Sequence, residues 1–334
     1  MKEASSRYVD QITLEKLLSE KLEKVHHFPE TGLNFPGGLF DDFNEYSQRV
    51  EQSLATGKAP LATSENGYLF NSLVPSIHTE NQSIPVHVFL SATPKMNLVF
   101  YHGLFEENRE IYHFLFSNLN RLGISVFLCT MPYHYERMPA PSAFSGEFFW
   151  SAYFERTRNA FKQAVYDLHY IAAWVSHTFT CPAVTGGFSM GGAVALIHAS
   201  LCHRPNGVVA LNPAVSLSDI VWDSPLCRTI KADYKQAGYE LKQLQNAYAD
   251  FEPICYAQPQ TPAEKIFLGY GCYDLVTSPD LYRSLVKHWD LCHTMEYKSG
   301  HLNLLRVPRV ANDLYNFWYN TEAEHHERSQ QISF

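Results

Sequence analysis

A serine becomes a nucleophile only when a base removes its proton and the backbone holds its hydroxyl in the open. The stretch Gly186-Gly187-Phe188-Ser189-Met190-Gly191-Gly192 contains the pentapeptide G-x-S-x-G, placed where an apolar run ends and a helical pattern begins. A serine in such a strand-to-helix turn needs backbone angles that crowd its neighbours, and Gly187 and Gly191 supply the room. The turn lifts the Ser189 hydroxyl clear of a sheet and sets the Met190 amide at a helix N-terminus. There an N–H and the helix dipole stabilise a developing oxyanion, so the chemistry served is acyl transfer. The plain alternative is a glycine-rich turn carrying an inert serine.

Sixteen histidines compete for the role of base. His301 stands out because it follows the last expected strand in the short loop Lys298-Ser299-Gly300-His301-Leu302-Asn303. His102 and His134 also lie just past strand ends, but both precede the serine and break the order Ser, Asp, His. The acid is expected after the next-to-last strand, where Gly271-Cys272-Tyr273-Asp274-Leu275-Val276 offers Asp274. Asp280 is the runner-up and reads better as a cap for the helix that follows Pro279. Upstream, Phe100-Tyr101-His102-Gly103-Leu104-Phe105 closes an apolar strand with a His-Gly turn. That turn can aim the Leu104 N–H at the oxyanion that Met190 meets; otherwise it is an ordinary turn needing Gly103 for a positive φ.

These residues need a scaffold, and the hydrophobic pattern describes one. Ile12, Leu14, Leu17, Leu18 and Leu22 mark one face of an amphipathic helix within residues 1–60, read as a helical extension. Gly32, Pro36, Gly37 and Gly38 then form a loop before a second helix beginning near Asp41 and Asp42. Short strands around Tyr68, Phe70 and Ile84 to Leu90 open the main domain, 61–320. Buried strands near 97–101, 124–128, 183–188, 207–211, 265–269 and 292–297 then alternate with helices near 109–122, 149–177, 190–203, 279–289 and 307–318. This is α/β patterning, a mostly parallel sheet with helices on both faces. Residues 216–260 lack strands and read as a helical cap insertion, with Tyr234, Tyr239, Leu241, Leu244 and Tyr248 at its apolar positions. Residues 321–334 form a polar C-terminal tail.

Strand, His-Gly turn, helix, strand, serine elbow, cap, Asp loop and His loop, in that order, resemble the α/β-hydrolase superfamily over about residues 66–320. The resemblance implies an eight-stranded sheet and a triad of Ser189, His301 and Asp274. Met131-Pro132-Tyr133-His134-Tyr135-Glu136-Arg137-Met138-Pro139 is similar to a Pro-Tyr-His, Arg, Pro signature in some branches of that superfamily. The helical first sixty residues depart from its pattern.

Composition narrows the remaining classes. The chain is 46% hydrophobic and 18% charged with a net charge of −8, which fits a filled core and makes nucleic acid and anionic membranes poor partners. No apolar window is long enough for a transmembrane helix, and the acidic first thirty residues do not read as a signal peptide. Seven scattered cysteines without a C-x-x-C pair suit a reducing cytoplasm. No cofactor motif is present: neither a phosphate-cradling loop nor G-x-G-x-x-G follows any strand. Glu324-His325-His326-Glu327 has metal-binding residue types but lies in the polar tail, and the Asn81-Gln82-Ser83 sequon matters only in a secreted chain. Phe144, Phe148, Phe149, Trp150, Tyr153 and Phe154 can line an acyl pocket or simply pack a core or lid.

The expected activity is hydrolysis of a carboxylic ester through an acyl-enzyme, with a small-molecule or acyl ester as substrate. A thioester, lactone or small amide would use the same triad, and transfer to an alcohol or amine would share the acyl-enzyme. A catalytically silent fold serving as a binding module is the reading from another class.

Overall fold

The computed structural model describes residues 3–30, 32–57, 59–63, 66–203 and 205–331, with side chains described up to residue 319. Two N-terminal helices, α1 (Glu3–Glu20) and α2 (Phe43–Ala55), precede the strands β1 (Leu61–Thr63), β2 (Gly67–Asn71), β3 (Ser83–Phe89) and β4 (Met96–Tyr101). Then follow α3 (His113–Arg121), β5 (Ile124–Cys129), α4 (Phe154–Thr178), β6 (Ala183–Phe188), α5 (Met190–Leu201) and β7 (Val208–Leu211). Three helices, α6 (Leu217–Asp223), α7 (Arg228–Gln236) and α8 (Leu241–Tyr248), fill the interval before β8 (Ile266–Gly271). The chain closes with α9 (Pro279–Trp289), β9 (His293–Tyr297) and α10 (Pro308–Gln331).

The strands form one sheet in the order β1-β2-β3-β5-β4-β6-β7-β8-β9. Pairings from β5 through β9 are parallel, and β1, β2 and β3 add an antiparallel margin. There are nine strands rather than eight because the exposed three-residue β1 pairs with β2 at the edge. The central strands read as unbroken apolar runs because both their faces are covered. On β4, Val99 and Tyr101 pack among α2, α4 and α5, while Leu98 and Phe100 join α3 and α10 on the other face. β7 divides the same way, with Val208 and Ala210 on one side and Val209 and Leu211 on the other. This is the pleat's period of two expressed as two separate cores.

Two helices differ from the sequence expectation for visible reasons. α4 starts at Phe154 rather than near 149, because the Thr157 hydroxyl donates to the Ser151 carbonyl and accepts the Ser151 N–H, holding that residue out of the helix. α10 continues past 318 to Gln331. Glu324, His325, His326 and Glu327 fall on its last turns, and their side chains lie outside the described residues. Asn81 is fully buried, its side chain accepting the Tyr133 N–H at 2.9 Å, so the sequon is not a surface feature.

The Pro-Tyr-His signature loop is fastened to the core by its arginine. Arg137, fully buried, donates to the carbonyls of Thr130 and Asn81 and pairs with Asp167 of α4 at 2.8 Å. Removing one member of a buried pair leaves the other charge unsolvated, which costs about 3–5 kcal/mol. Arg137→Met is therefore expected to lower the unfolding free energy by about that amount in urea titrations, and the double substitution with Asp167→Leu to recover much of the loss.

Candidate active site

Ser189 sits between β6 and α5 with φ 54° and ψ −116°, angles that a non-glycine residue adopts only under constraint. The glycines make the turn possible. A Cβ on Gly187 would lie 2.2 Å from the Gly191 carbonyl carbon, and one on Gly191 would lie 2.3 Å from the Tyr101 oxygen. The elbow thus packs backbone against backbone, both within itself and on the end of β4.

His301 and Asp274 come from the loops after β9 and β8, as their chain order requires. His301 Nε2 lies 2.9 Å from Ser189 Oγ, and His301 Nδ1 lies 2.7 Å from Asp274 Oδ2. The carboxylate only accepts, so the ring proton sits on Nδ1 and the Nε2 lone pair faces the serine hydroxyl. Asp274 is locked in place: its Oδ2 also accepts the Tyr282 hydroxyl, and its Oδ1 accepts the N–H groups of Val276 and Thr277. Asp280 is exposed and pairs with Arg283, and the helix cap assigned to it is supplied instead by Ser278.

The other two histidines are structural. His102 Nε2 accepts the Met131 N–H at 3.1 Å, which puts its proton on Nδ1, toward the Gly103 carbonyl at 2.7 Å. Burial, with help from His134, holds its pKa well below the ordinary value, so it is a neutral strut between two loops. Burial likewise pushes His134 down to about 3, and its Nδ1 engages the Pro132 carbonyl.

The loop after β4 lines the same cavity as Ser189. Gly103 does not have a positive φ; the residue that does is Phe105, at 60°. A Cβ at 103 would lie 2.6 Å from Glu106 Oε1 and 3.2 Å from the Phe188 ring, so both side chains pack directly on this glycine. The Gly103 N–H is already engaged by the Tyr112 hydroxyl and Glu106. Among the described residues, the amides of Leu104 and Met190 have no such acceptor. Leu104 lines the same cavity as Ser189 and His301.

Two acidic residues that sequence reasoning passed over belong to this site. Asp10 of α1 is only 1% exposed, and its carboxylate accepts the N–H of His301 at 2.6 Å and of Leu302 at 3.2 Å. It caps the short 3₁₀ turn that begins after His301. Its one sequence signal is Gly300, where any Cβ would lie 2.5 Å from the Asp10 carboxylate. Glu106 accepts hydrogen bonds from Tyr112, Tyr135 and Gly103. Burial pushes it up to about 7 against those bonds. Asn212, with φ 44°, joins the Asp274 and His301 loops by accepting from Gly271 N and donating to the His301 carbonyl.

These carboxylates set the imidazole's charge state. Burial lowers the His301 pKa, but the Asp274 charge and hydrogen bond, with the charges of Asp10 and Glu106, outweigh it and leave the ring above its ordinary value. Burial raises Asp10, opposed by the two amides it caps.

The cavity in front of Ser189 measures about 80 Å³, and its walls are mostly apolar: Leu14 and Leu17 of α1, with Leu104, Phe188, Leu226 and Val276. The N-terminal helices are therefore part of the site and its surroundings. α1 covers the Ser189 cavity, and α2 packs on α4, where Tyr46 stacks on Tyr166 at 4.2 Å. The buried stripe of α1 is Ser6, Asp10, Leu14 and Leu18, which leaves Ile12 facing outward.

No family model and no curated protein matches this sequence. Solved structures do match. An acetyl xylan esterase from Paenibacillus sp. R4 is 15% identical with a TM-score of 0.52, over 82% of this chain and 92% of that one. An S-formylglutathione hydrolase from Agrobacterium tumefaciens is 14% identical with a TM-score of 0.51, over 78% and 98%. Est1E from Butyrivibrio proteoclasticus, bound to ferulic acid, is 12% identical with a TM-score of 0.50, over 72% and 96%. At these identities the likeness is one of fold, and with the strand order it establishes that the chain has the α/β-hydrolase fold.

An NMR titration of the imidazole nitrogens is expected to place the His301 midpoint above about 6.5, the value for a free histidine. Asp10→Asn removes a negative charge that favours the imidazolium, so its midpoint is expected to fall.

Proposed function

We propose that the protein is a serine hydrolase acting on carboxylic esters. The reading rests on one observation: a single imidazole bridges the Ser189 hydroxyl at 2.9 Å and the Asp274 carboxylate at 2.7 Å. In this mechanism His301 takes the Ser189 proton as the oxygen attacks the ester carbonyl. The Leu104 and Met190 amides receive the oxyanion, and Asp274 holds the imidazole and stabilises its cation. His301 then returns the proton to the leaving alkoxide. A water deprotonated by the same nitrogen attacks the acyl-enzyme and releases the acid.

The apolar wall of Leu14, Leu17, Leu104, Leu226 and Val276 favours an apolar acyl group over a charged one. Similarity to an acetyl xylan esterase and to a ferulic-acid-bound protein agrees with an ester, while an S-formylglutathione hydrolase keeps a thioester in the same frame. Acyl transfer to an alcohol or amine would use the same relay and differ only in the acceptor. The complete relay argues against a silent binding module. Among the described residues, no helix is long and apolar enough to cross a membrane. Among the described residues no disulfide links the cysteines, which accords with a cytoplasmic setting.

A panel of nitrophenyl esters of increasing acyl length tests the reading. Turnover is expected to favour apolar acyl groups, to vanish in Ser189→Ala and to drop by about 10⁴-fold in kcat for Asp274→Asn. Because the base works only when neutral, kcat/KM is expected to fall as pH drops through the raised His301 pKa. Absence of turnover of every ester in the panel would overturn the ester assignment.

A further inference from the structure

At the end of α5 remote from the nucleophile, three soft donors converge. His169 Nδ1 on α4 lies 3.0 Å from His198 Nε2 on α5. Cys202 Sγ, just past the end of α5, lies 3.2 Å from the same His198 nitrogen and 3.9 Å from His169 Nδ1. Both histidines are fully buried and Cys202 is half-buried. We propose that these three residues bind one divalent cation of the zinc class, at a site separate from the hydrolytic one. Met190 and His198 are about 12 Å apart along the helix axis, so the cation would not touch the reacting atoms.

The donor set and its spacing both point to such an ion. Imidazole and thiolate are the ligands that zinc and its borderline neighbours take. Tetrahedral zinc, with metal–nitrogen bonds of about 2.0–2.1 Å and metal–sulfur bonds of about 2.3 Å, sets donor atoms about 3.3–3.6 Å apart. The observed separations of 3.0, 3.2 and 3.9 Å bracket that range. A cation among the three atoms uses one lone pair from each.

The surroundings are built for the same purpose. The other nitrogen of His169 meets Ser47 Oγ of α2 at 3.0 Å, which orients the ring with Nδ1 toward His198 and Cys202. Thr261 holds the end of α5, its hydroxyl donating to the Cys202 carbonyl and its amide to the Ala199 carbonyl, both at 2.9 Å. His198 and Cys202 are four residues apart, one helical turn, which sets both side chains on one side. On binding, the Cys202 thiol loses its proton to solvent as the sulfur–metal bond forms, and both imidazoles stay neutral.

The test is a cobalt titration of the full-length protein after chelator treatment. One equivalent of Co²⁺ is expected to bind, with a thiolate-to-cobalt absorption band that Zn²⁺ abolishes by displacement. Cys202→Ser, close in shape, is expected to remove that band while circular dichroism stays native, and Cys272→Ser to keep it. Ser47→Ala is expected to weaken binding by about 10- to 100-fold. Absence of stoichiometric uptake by the folded protein, or a band that survives Cys202→Ser, would overturn the proposal.

Discussion

The turn between β6 and α5 is the constraint on which the site depends. It asks Ser189 for a left-handed φ of 54°, a conformation that costs about 1–3 kcal/mol when a non-glycine residue adopts it. That cost is sustained because the turn is fixed from several sides. The Ser189 N–H donates to the Leu211 carbonyl of β7, the Ser189 carbonyl accepts from Ala193 and Ala214, and Gly191 lies flush on the end of β4. The same close approach that forbids a side chain at 187 and 191 puts the hydroxyl out of the sheet and points the first amide of α5 beside it. β8 and β9, further along the same parallel sheet, then deliver the Asp274 and His301 loops to the same edge.

Holding the histidine over that hydroxyl takes more than its acid partner. The His301 loop is tied by Asn212 from β7 and by Asp10 from a helix almost the whole chain away. Burying the Asp10 carboxylate is costly, and two backbone N–H groups offset part of that cost. The arrangement surrounds one imidazole with the charges of Asp274, Asp10 and Glu106, so ring orientation and proton affinity are set together. α1 thereby links two properties: its Leu14 and Leu17 shape the cavity, and its Asp10 raises the proton affinity of the His301 imidazole that lines it.

The strand sequence was legible because its strands are buried on both faces and therefore apolar throughout. The positions of Ser189, Asp274 and His301 were legible because each follows a strand end, and glycine marks the turns around the first. What sequence could not show was long-range. Asp10 sits on the apolar stripe of α1, where a periodicity reading discards an acidic residue and takes Ile12 in its place. Glu106 lies in a loop, and only the hydroxyls of Tyr112 and Tyr135 reveal that it is buried and bonded. His102 and His134 looked like bases because strand ends are where bases lie, yet hydrogen bonds to their own loops fix both rings and burial holds them neutral. α4 starts late because of a side-chain bond from Thr157, which residue propensities do not encode.

The most direct measurement is to treat the folded protein with a fluorophosphonate and map the adduct by mass spectrometry. The account predicts a single adduct, on Ser189, forming more slowly as pH falls and His301 becomes protonated. An adduct on another residue, or no adduct while circular dichroism shows the native fold, would contradict it.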